Sequence, residues 1–220
     1  MAGERPDWLA EQAKYYRRRA AEYDTTSTPP GDRVKPESDI LRTELRAFEP
    51  RGRVLEIACG TGSYTVELVP FAERITALDV SPEMLRLARR KVPSEKVRFV
   101  EADIFSWTPD AHYDVAFFSF WLSHVPPSHF EWFWEIVASC LAPDGRVFFA
   151  DEGRHALWRE EFVDPEEAVV RRRLSDGSEH HAIKMLWDVS ELGARLRGLG
   201  WDITVRSTGA FYWGAGTRST

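Results

Sequence analysis

The stretch "RVLEIACGTGSYT", residues 53 to 65, decides the fold because it runs an apolar strand directly into a glycine turn. The strand ends near an acid, Glu56, and the chain continues through the small residues "ACGTGS". In an open parallel sheet, ligands bind beyond the carboxyl ends of the strands, where a glycine turn lets backbone N–H groups approach the ligand. We therefore expect a ligand site at this turn.

The spacing of the glycines does not match a dinucleotide site. The dinucleotide fingerprint is GxGxxG, and the frame that begins at Ala58 reads Ala-Cys-Gly-Thr-Gly-Ser, without the first and third glycines. A carboxylate at Glu56 would also repel a pyrophosphate and attract a positively charged group at short range. The turn therefore predicts a cofactor that is cationic near Glu56.

Apolar strands alternate with helices on both sides of this turn. The strands are "RVLEIA", "RITALDV", "VRFVEADI", "YDVAFFSF" and "RVFFADE", and the helices between them span 63–72, "SPEMLRLARRKV" and 128–141. Ser81 is a predicted N-cap with Pro82 at the first helical position. Such alternation favours a parallel sheet with helices on both faces.

The two ends of the chain differ from this pattern. Two helices, over 7–23 with Asp7 as its cap and over 37–48, precede the first strand. Near the other end, Asp176-Gly177 is a strong hairpin signal. A helix over 189–199, capped by Asp188 or Ser190, and two closing strands, "WDITVRS" and "GAFYWGAG", follow.

These elements predict a Rossmann-like α/β fold, a three-layer α/β/α sandwich. Its sheet is mostly parallel and seven-stranded, with an antiparallel closing strand, an N-terminal helical lid and a hairpin insertion after strand 5. We expect one domain over 1–220. It divides into a lid (1–50), a cofactor-binding core (51–152), a substrate-side insertion (153–187) and a closing segment (188–220).

Composition excludes several classes of protein. The formal net charge is -6 over 220 residues, so nucleic acid is a weak expectation as a partner. The runs "YYRRRA" and "VVRRRL" are flanked by acids, and we interpret them as solvated faces. Cys59 and Cys140 lie far apart, which favours neither a disulfide framework nor a zinc site. No stretch reaches the roughly 18 apolar residues of a membrane span, so we expect a soluble, cytoplasmic protein without a membrane partner.

The motif "VLEIACGTG" resembles the first motif of the class I S-adenosylmethionine-dependent methyltransferases, with Ala58 at the position of the family's usual first glycine. Asp79 ends the second strand where the family binds the ribose hydroxyls. "EADIFSW" resembles the third-strand motif, and "YDVAFFSFWLSHVP" resembles the fourth-strand motif. "YYRRRAAEYD" is similar to the lid helix of many members that act on small molecules.

The resemblance implies S-adenosylmethionine as the cofactor and S-adenosylhomocysteine as the product. Asp103 would accept a hydrogen bond from the adenine amino group, Ile104 would pack on the ring, and Tyr16 or Tyr23 would reach the carboxylate end. The implied cofactor-binding residues are Tyr16, Tyr23, Glu56, Ala58, Cys59, Gly60, Gly62, Asp79, Val80, Met84, Asp103, Ile104, Ser119 and Phe120. Structural alternatives stay open: Asp79 as a helix cap, Asp103 as a surface acid, and the tyrosines as helix packing.

The implied reaction is in-line transfer of a methyl group to a small-molecule acceptor, such as a specialised metabolite, at an O, N, S or C atom that the sequence leaves open. A general base is needed only if the acceptor carries a proton at neutral pH. His124 is the candidate base, followed by His155, Asp151 and Glu152. The candidate substrate-binding residues are Trp121, His155, Trp158 and Trp213, and no metal site is expected.

Two other functions remain as alternatives. A nicotinamide-dependent oxidoreductase uses a similar sheet, although the incomplete GxGxxG disfavours it. A non-catalytic protein that retains the cofactor pocket is the other. The oligomeric state, monomer or homodimer, is open.

Overall fold

The computed structural model of the protein describes residues 7–27, 35–153 and 160–219. The helices are α1 (Trp8–Arg19), α2 (Tyr23–Thr26), α3 (Lys35–Phe48), α4 (Thr65–Leu68), α5 (Pro82–Lys91), α6 (Phe130–Cys140) and α7 (Val189–Gly198). The strands are β1 (Gly52–Ile57), β2 (Ala72–Asp79), β3 (Val97–Glu101), β4 (Tyr113–Ser119), β5 (Leu141–Glu152), β6 (Phe162–Asp164), β7 (Val169–Arg173), β8 (Glu179–Ile183), β9 (Trp201–Ser207) and β10 (Phe211–Arg218).

Seven strands form the main sheet in the order β3-β2-β1-β4-β5-β10-β9. The pairs from β3 to β5 are parallel, whereas β10 runs antiparallel to both of its neighbours, β5 and β9. The predicted Rossmann-like fold is therefore confirmed. The strand order reverses between β1 and β4, which is the place where such sheets open a crevice for a ligand.

The central strands are apolar throughout because both faces of the sheet are covered. Phe117 and Phe118 are neighbours on β4 and point to opposite faces, since side chains alternate along a strand. Phe117 packs in the core that includes Leu41 and Leu45 of α3. Phe118 packs in the core on the other face, which includes Trp134 of α6. The result is a helix–sheet–helix sandwich.

Local capping signals predicted several element boundaries correctly. The Asp7 side chain accepts a hydrogen bond from Ala10 N at the start of α1. Ser81 caps α5 with Pro82 behind it, and Asp188, rather than Ser190, caps α7. The predicted hairpin at Asp176-Gly177 joins β7 to β8.

Three predicted elements need correction. The helix expected over 63–72 spans only Thr65–Leu68, because Pro70 has no N–H to continue the ladder, and β2 already begins at Ala72. The first helix ends at Arg19 and continues as a 3₁₀ turn and α2. The insertion also contains a third strand, β6, that the sequence analysis did not predict.

The three-stranded sheet β6-β7-β8 packs against the lid helix α1. The Trp8 ring contacts the His181 ring edge-on, with centroids 5.4 Å apart, and Gln12 bonds to the backbone of Ile183. Both elements also contact the loop after β4, through His124. The lid and the insertion therefore lie over the carboxyl ends of the central strands, while the division of the chain into four segments stays a prediction.

Within the described ranges, no helix combines the length and apolar character that a membrane crossing requires.

Gly216 on β10 tests the close packing of β10 on β9. A Cβ at this position would overlap the backbone oxygen of Asp202 and lie 2.7 Å from the Cα of Ile203. Because backbone cannot rotate away, we expect Gly216→Ala to lower the free energy of unfolding by about 1–3 kcal/mol, as overpacking does. Urea unfolding measures this.

Gly198, the last residue of α7, is the matched control, because a Cβ there meets nothing within 4 Å. Gly198→Ala should leave stability unchanged or raise it by up to about 1 kcal/mol. Equal stability of the two variants would contradict the described register of β9 and β10.

Candidate active site

The turn after β1 adopts left-handed backbone conformations at Ala58, Gly60 and Gly62, with φ of 54°, 54° and 81°. A Cβ at Gly62 would lie 3.3 Å from the Cα of Ala88, so this glycine permits close packing of the turn on α5. A Cβ at Gly60 would meet nothing within 4 Å. The turn is thus fixed on one side and open to a cavity on the other.

Asp79 joins the glycine turn to the start of α5. One carboxylate oxygen accepts a hydrogen bond from Gly60 N at 2.8 Å, and the other accepts from Ser81 N at 2.9 Å. Burial raises the pKa of Asp79 to about 6, against the opposing effect of these backbone donors. The group is therefore mainly ionised at neutral pH.

Glu56 lies beneath the turn. Its side chain accepts a hydrogen bond from Thr65 Oγ1 at 2.7 Å, and the residue is 1% exposed. Burial, with a further contribution from Asp79, raises the pKa of Glu56 to about 8. Its carboxyl group is mainly protonated at pH 7, so this geometry does not supply the negative charge that we expected to attract a cation. Direct contact with a cofactor stays a prediction for Glu56.

Two joined cavities lie at the carboxyl ends of the strands, with volumes of about 90 and about 1020 Å³. Predicted cofactor-binding residues line both. The shared ones are Tyr16, Tyr23, Ala58, Gly60, Ser119 and Phe120; the smaller cavity adds Asp79, Val80, Met84, Asp103 and Ile104, and the larger adds Cys59. The structure thus brings twelve of the fourteen predicted residues together.

Other predicted residues lie elsewhere. Glu56 and Gly62 do not line either cavity, and Trp213 packs in the core beside the main sheet. Trp121, predicted to contact substrate, lines the smaller cavity only. His155 and Trp158 fall outside the described residues.

His124 lines both cavities and bonds through both ring nitrogens. Nδ1 lies 2.6 Å from the carbonyl oxygen of Ile183, which accepts its hydrogen, and Nε2 lies 2.8 Å from the Tyr16 hydroxyl. Burial holds the pKa of His124 well below 6.5, and the charges of Lys184, Arg172 and Arg19 lower it further. Neutral His124 therefore carries its proton on Nδ1, and its Nε2 lone pair accepts the hydrogen bond that Tyr16 donates.

Arg19 of α1, Arg172 of β7 and Lys184 after β8 line the larger cavity, and we call them the cationic wall. Arg172 is paired with Glu160, and Lys184 Nζ lies 2.5 Å from a carboxylate oxygen of Glu152. Arg19 has no carboxylate partner within the described part of the chain, and its guanidinium lies over the Tyr23 ring at 4.9 Å.

The interpretation of the arginine runs as solvated faces is wrong for Arg19 of the first run and for Arg172 and Arg173 of the second, since these three residues line the larger cavity. One signal in the sequence could have identified Arg19 as a cavity residue. Arg19 lies three residues after Tyr16 and four before Tyr23, a spacing that places the three side chains on one face of a helix.

A second polar cluster connects the lid to the glycine turn. Asp24 of the lid accepts a hydrogen bond from Thr61 Oγ1 at 2.6 Å and forms an ion pair with Lys91 Nζ at 2.7 Å. Lys91 also donates to Ser63 Oγ at 3.0 Å. These bonds hold α2 over the turn, beside the larger cavity.

The comparisons with known proteins agree with this site. Residues 54–145 match a family model described as a methyltransferase domain. Two structures of DhpI, one with SAH and one with SAM and HEP, superpose with a TM-score of 0.84 at 38% identity, over 96% of this chain and 97–98% of theirs. A methyltransferase from Clostridium acetobutylicum, 18% identical over 94% of this chain and 100% of its own, shares the fold with a TM-score of 0.68.

Curated relatives include trans-aconitate 2-methyltransferases from Rhodopseudomonas palustris and Escherichia coli. They are 35% and 36% identical over 137 residues, which is 59% of this chain. The chain spans about half of their length, 51% and 52%.

The chain belongs to the class I S-adenosylmethionine-dependent methyltransferases. S-adenosylmethionine is the cofactor, and the residues present fit it. The smaller cavity is apolar around Leu78, Met84 and Ile104, as an adenine ring requires, and we predict that the acids Asp79 and Asp103 supply acceptors for the hydroxyl and amino groups of the cofactor. Gly60 and Tyr16 line both cavities, and we predict that they contact the amino-acid end of the cofactor.

Asp79→Asn tests the role of the buried carboxylate. An asparagine oxygen can replace one acceptor, but its NH₂ group would face a backbone N–H at the other position. We expect the Kd for S-adenosylhomocysteine, measured by calorimetry, to rise about tenfold or more, as for loss of a charge-assisted hydrogen bond. Asp110→Asn, at an exposed acid paired with Arg98, is the control and should bind normally; equal affinities in the two variants would remove Asp79 from the binding site.

The same affinity should depend on pH. The pKa of Asp79 is raised to about 6, and we expect only the ionised form to offer both carboxylate oxygens as acceptors to the ribose hydroxyls. Binding of S-adenosylhomocysteine should therefore weaken as the pH falls from 7 to 5, and the Asp79→Asn variant should lose this dependence. A wild-type affinity that stays constant over this range would contradict the assignment.

Proposed function

We propose that the protein transfers the methyl group of S-adenosylmethionine to an anionic oxygen of a small organic oxyanion, such as a carboxylate or a phosphonate, to give a methyl ester. One observation carries this proposal. Three cations on three separate elements converge on the larger cavity, and all three act on the pKa of His124.

The positive potential around His124 also favours a negatively charged acceptor. A positive potential that opposes protonation of a buried imidazole also stabilises an anion placed in the same cavity. Glu152 and Glu160 compensate Lys184 and Arg172 in part, whereas Arg19 keeps its charge available. An acceptor with one or more negative oxygens complements such a wall.

The chemistry of an oxyanion also agrees with the state of His124. An anionic oxygen presents its lone pair without losing a proton, so it needs no general base. Neutral His124 already uses Nε2 to accept a hydrogen bond from Tyr16, and its lowered pKa makes it a weak base. In this proposal His124 orients Tyr16 and is not the base that the sequence suggested.

The protein's own residues bind and align the reactants. When bound, S-adenosylmethionine would supply a methyl group on a cationic sulfur. The acceptor's lone pair would bond to the methyl carbon as the carbon–sulfur bond breaks, and S-adenosylhomocysteine would leave. Gly60 and Asp79 position the cofactor, and Arg19, Arg172 and Lys184 hold the oxyanion. The lid helix covers the site and limits access of water, which favours transfer between aligned groups.

The relatives support an anionic acceptor. The curated relatives are named for trans-aconitate, which is a carboxylate. DhpI has been captured with a second ligand, HEP, beside SAM. Neither name identifies the acceptor of this chain. The specialised metabolite and the cytoplasmic location stay predictions, and the oligomeric state, monomer or homodimer, stays open. The oxidoreductase alternative is not favoured by any of these relatives.

The proposal is tested by incubating the protein with methyl-labelled S-adenosylmethionine and pairs of acceptors. Each pair consists of an oxyanion (trans-aconitate, a simple carboxylate or an alkylphosphonate) and its neutral amide or ester. We expect label only in the methyl esters of the anionic members. Transfer to amines or neutral alcohols, with none to oxyanions, would overturn the proposal.

Arg19→Gln measures the contribution of Arg19, the member of the cationic wall without a carboxylate partner among the described residues. This change leaves no carboxylate of the described residues without a partner, so the fold should be unaffected. We expect the KM for the oxyanion to rise about tenfold or more, as for loss of one charged contact, while the Kd for S-adenosylhomocysteine changes less than about twofold.

Arg18→Gln is the control, since Arg18 is exposed on the same helix and does not line either cavity. If the Kd for S-adenosylhomocysteine rises instead and the acceptor KM does not, Arg19 binds the cofactor's carboxylate and the anion proposal loses its main contact.

A further inference from the structure

Gln12 is a buried amide on the lid helix, 3% exposed. Its Nε2 donates a hydrogen bond to the carbonyl oxygen of His124 at 3.1 Å, and its Oε1 accepts one from Ile183 N at 3.0 Å. One side chain of α1 therefore satisfies the backbone of two other segments, the loop after β4 and the end of β8. A buried polar group with all these partners stabilises one specific arrangement of its neighbours.

The two segments also bond to each other. His124 Nδ1 donates to the Ile183 carbonyl at 2.6 Å, so Gln12, His124 and Ile183 form a closed ring of three hydrogen bonds. Tyr16 lies one helical turn after Gln12, on the same face of α1, and donates to His124 Nε2. The ring of bonds thus fixes both the tautomer and the orientation of the imidazole.

One residue adjacent to this ring, Lys184, lines the larger cavity. Lys184 directly follows Ile183 and is only 4% exposed, with its Nζ between a Glu152 oxygen at 2.5 Å and Ser123 Oγ at 3.2 Å. Ser123 directly precedes His124, and its carbonyl accepts a hydrogen bond from Met185 N at 2.7 Å. A shift of Ile183 or His124 would therefore move Lys184.

We propose that Gln12 is a positioning residue for the acceptor: it holds Lys184 of the cationic wall and the Tyr16–His124 pair in the arrangement that receives the oxyanion. Gln12 lines the smaller cavity only, Tyr16 and His124 line both cavities, and Lys184 lines the larger one. This proposal rests on the proposed function for the identity of the acceptor. The hydrogen bonds of His124 to Gln12, Ile183 and Tyr16 do not depend on which acceptor the protein uses.

Gln12→Met tests the proposal, because methionine has a similar length and no hydrogen-bonding amide. We expect the KM for the oxyanion to rise about tenfold or more, and by a larger factor than the Kd for S-adenosylhomocysteine, which is also affected because Gln12 and Tyr16 line the smaller cavity. Gln12→Glu retains the acceptor for Ile183 N and, where its carboxyl is ionised, loses the donor to His124. At such a pH its KM should lie between those of Gln12→Met and the wild type. Lys14→Met, on the exposed face of α1, is the control.

The imidazole of His124 gives a second readout that packing alone would not move. ¹⁵N NMR should show the Nδ1–H tautomer and a pKa well below 6.5 in the wild type. In Gln12→Met it should show mixed tautomers. An unchanged tautomer with an unchanged acceptor KM would overturn the proposal, even if the variant is thermally destabilised.

The two proposals fail in distinguishable ways. If no oxyanion is methylated by the wild type, the proposed function is wrong, and the NMR comparison still decides whether Gln12 positions His124. If Gln12→Met does not fold, Gln12→Glu supplies both measurements, and a wild-type KM and tautomer in that variant would contradict the role of the Nε2 donor.

Discussion

The buried carboxylate of Asp79 is the interaction on which the site depends. An ionised group with little access to water requires strong partners, and both of its oxygens accept backbone hydrogen bonds, from Gly60 and Ser81. These bonds connect the turn after β1 to the N-cap of α5. The strand order reverses between β1 and β4, so the turn after β1 lies beside the crevice that this reversal creates. Gly60 lines both cavities there.

The other half of the site comes from segments that the common sheet does not supply. The lid helix contributes Gln12, Tyr16 and Arg19, and the insertion contributes Arg172 and Lys184. We propose that their shared effect is electrostatic. A cavity that holds a histidine neutral, and in which Arg19 has no carboxylate partner among the described residues, attracts an anion and does not need to remove a proton from it. The two halves of the site thus differ physically. The proposed cofactor half is an apolar cavity with acids as hydrogen-bond acceptors, and the proposed acceptor half is the cationic wall.

Sequence patterns predicted the parts of the structure that depend on local chemistry. The glycine turn, the Ser81 and Asp188 caps and the Asp176-Gly177 hairpin are each determined by a few adjacent residues. Strand β6 has only three residues, too few for a periodic pattern.

The cationic wall was missed for a different reason. Arginines in a charged run normally face solvent, and only the packing of α1 against the insertion encloses Arg19 and Arg172. Trp213 shows the converse error, because a large aromatic residue suits a pocket and a core equally, and here it packs in the core.

A crystal structure with S-adenosylhomocysteine and an inert oxyanion analogue tests the central claim most directly. The account predicts adenine in the smaller cavity beside Asp103 and Ile104, ribose hydroxyls on Asp79, and the oxyanion in the larger cavity between Arg19 and Lys184, on the same side as the sulfur. Adenine bound in the larger cavity, or an oxyanion that makes no contact with the cationic wall, would contradict it.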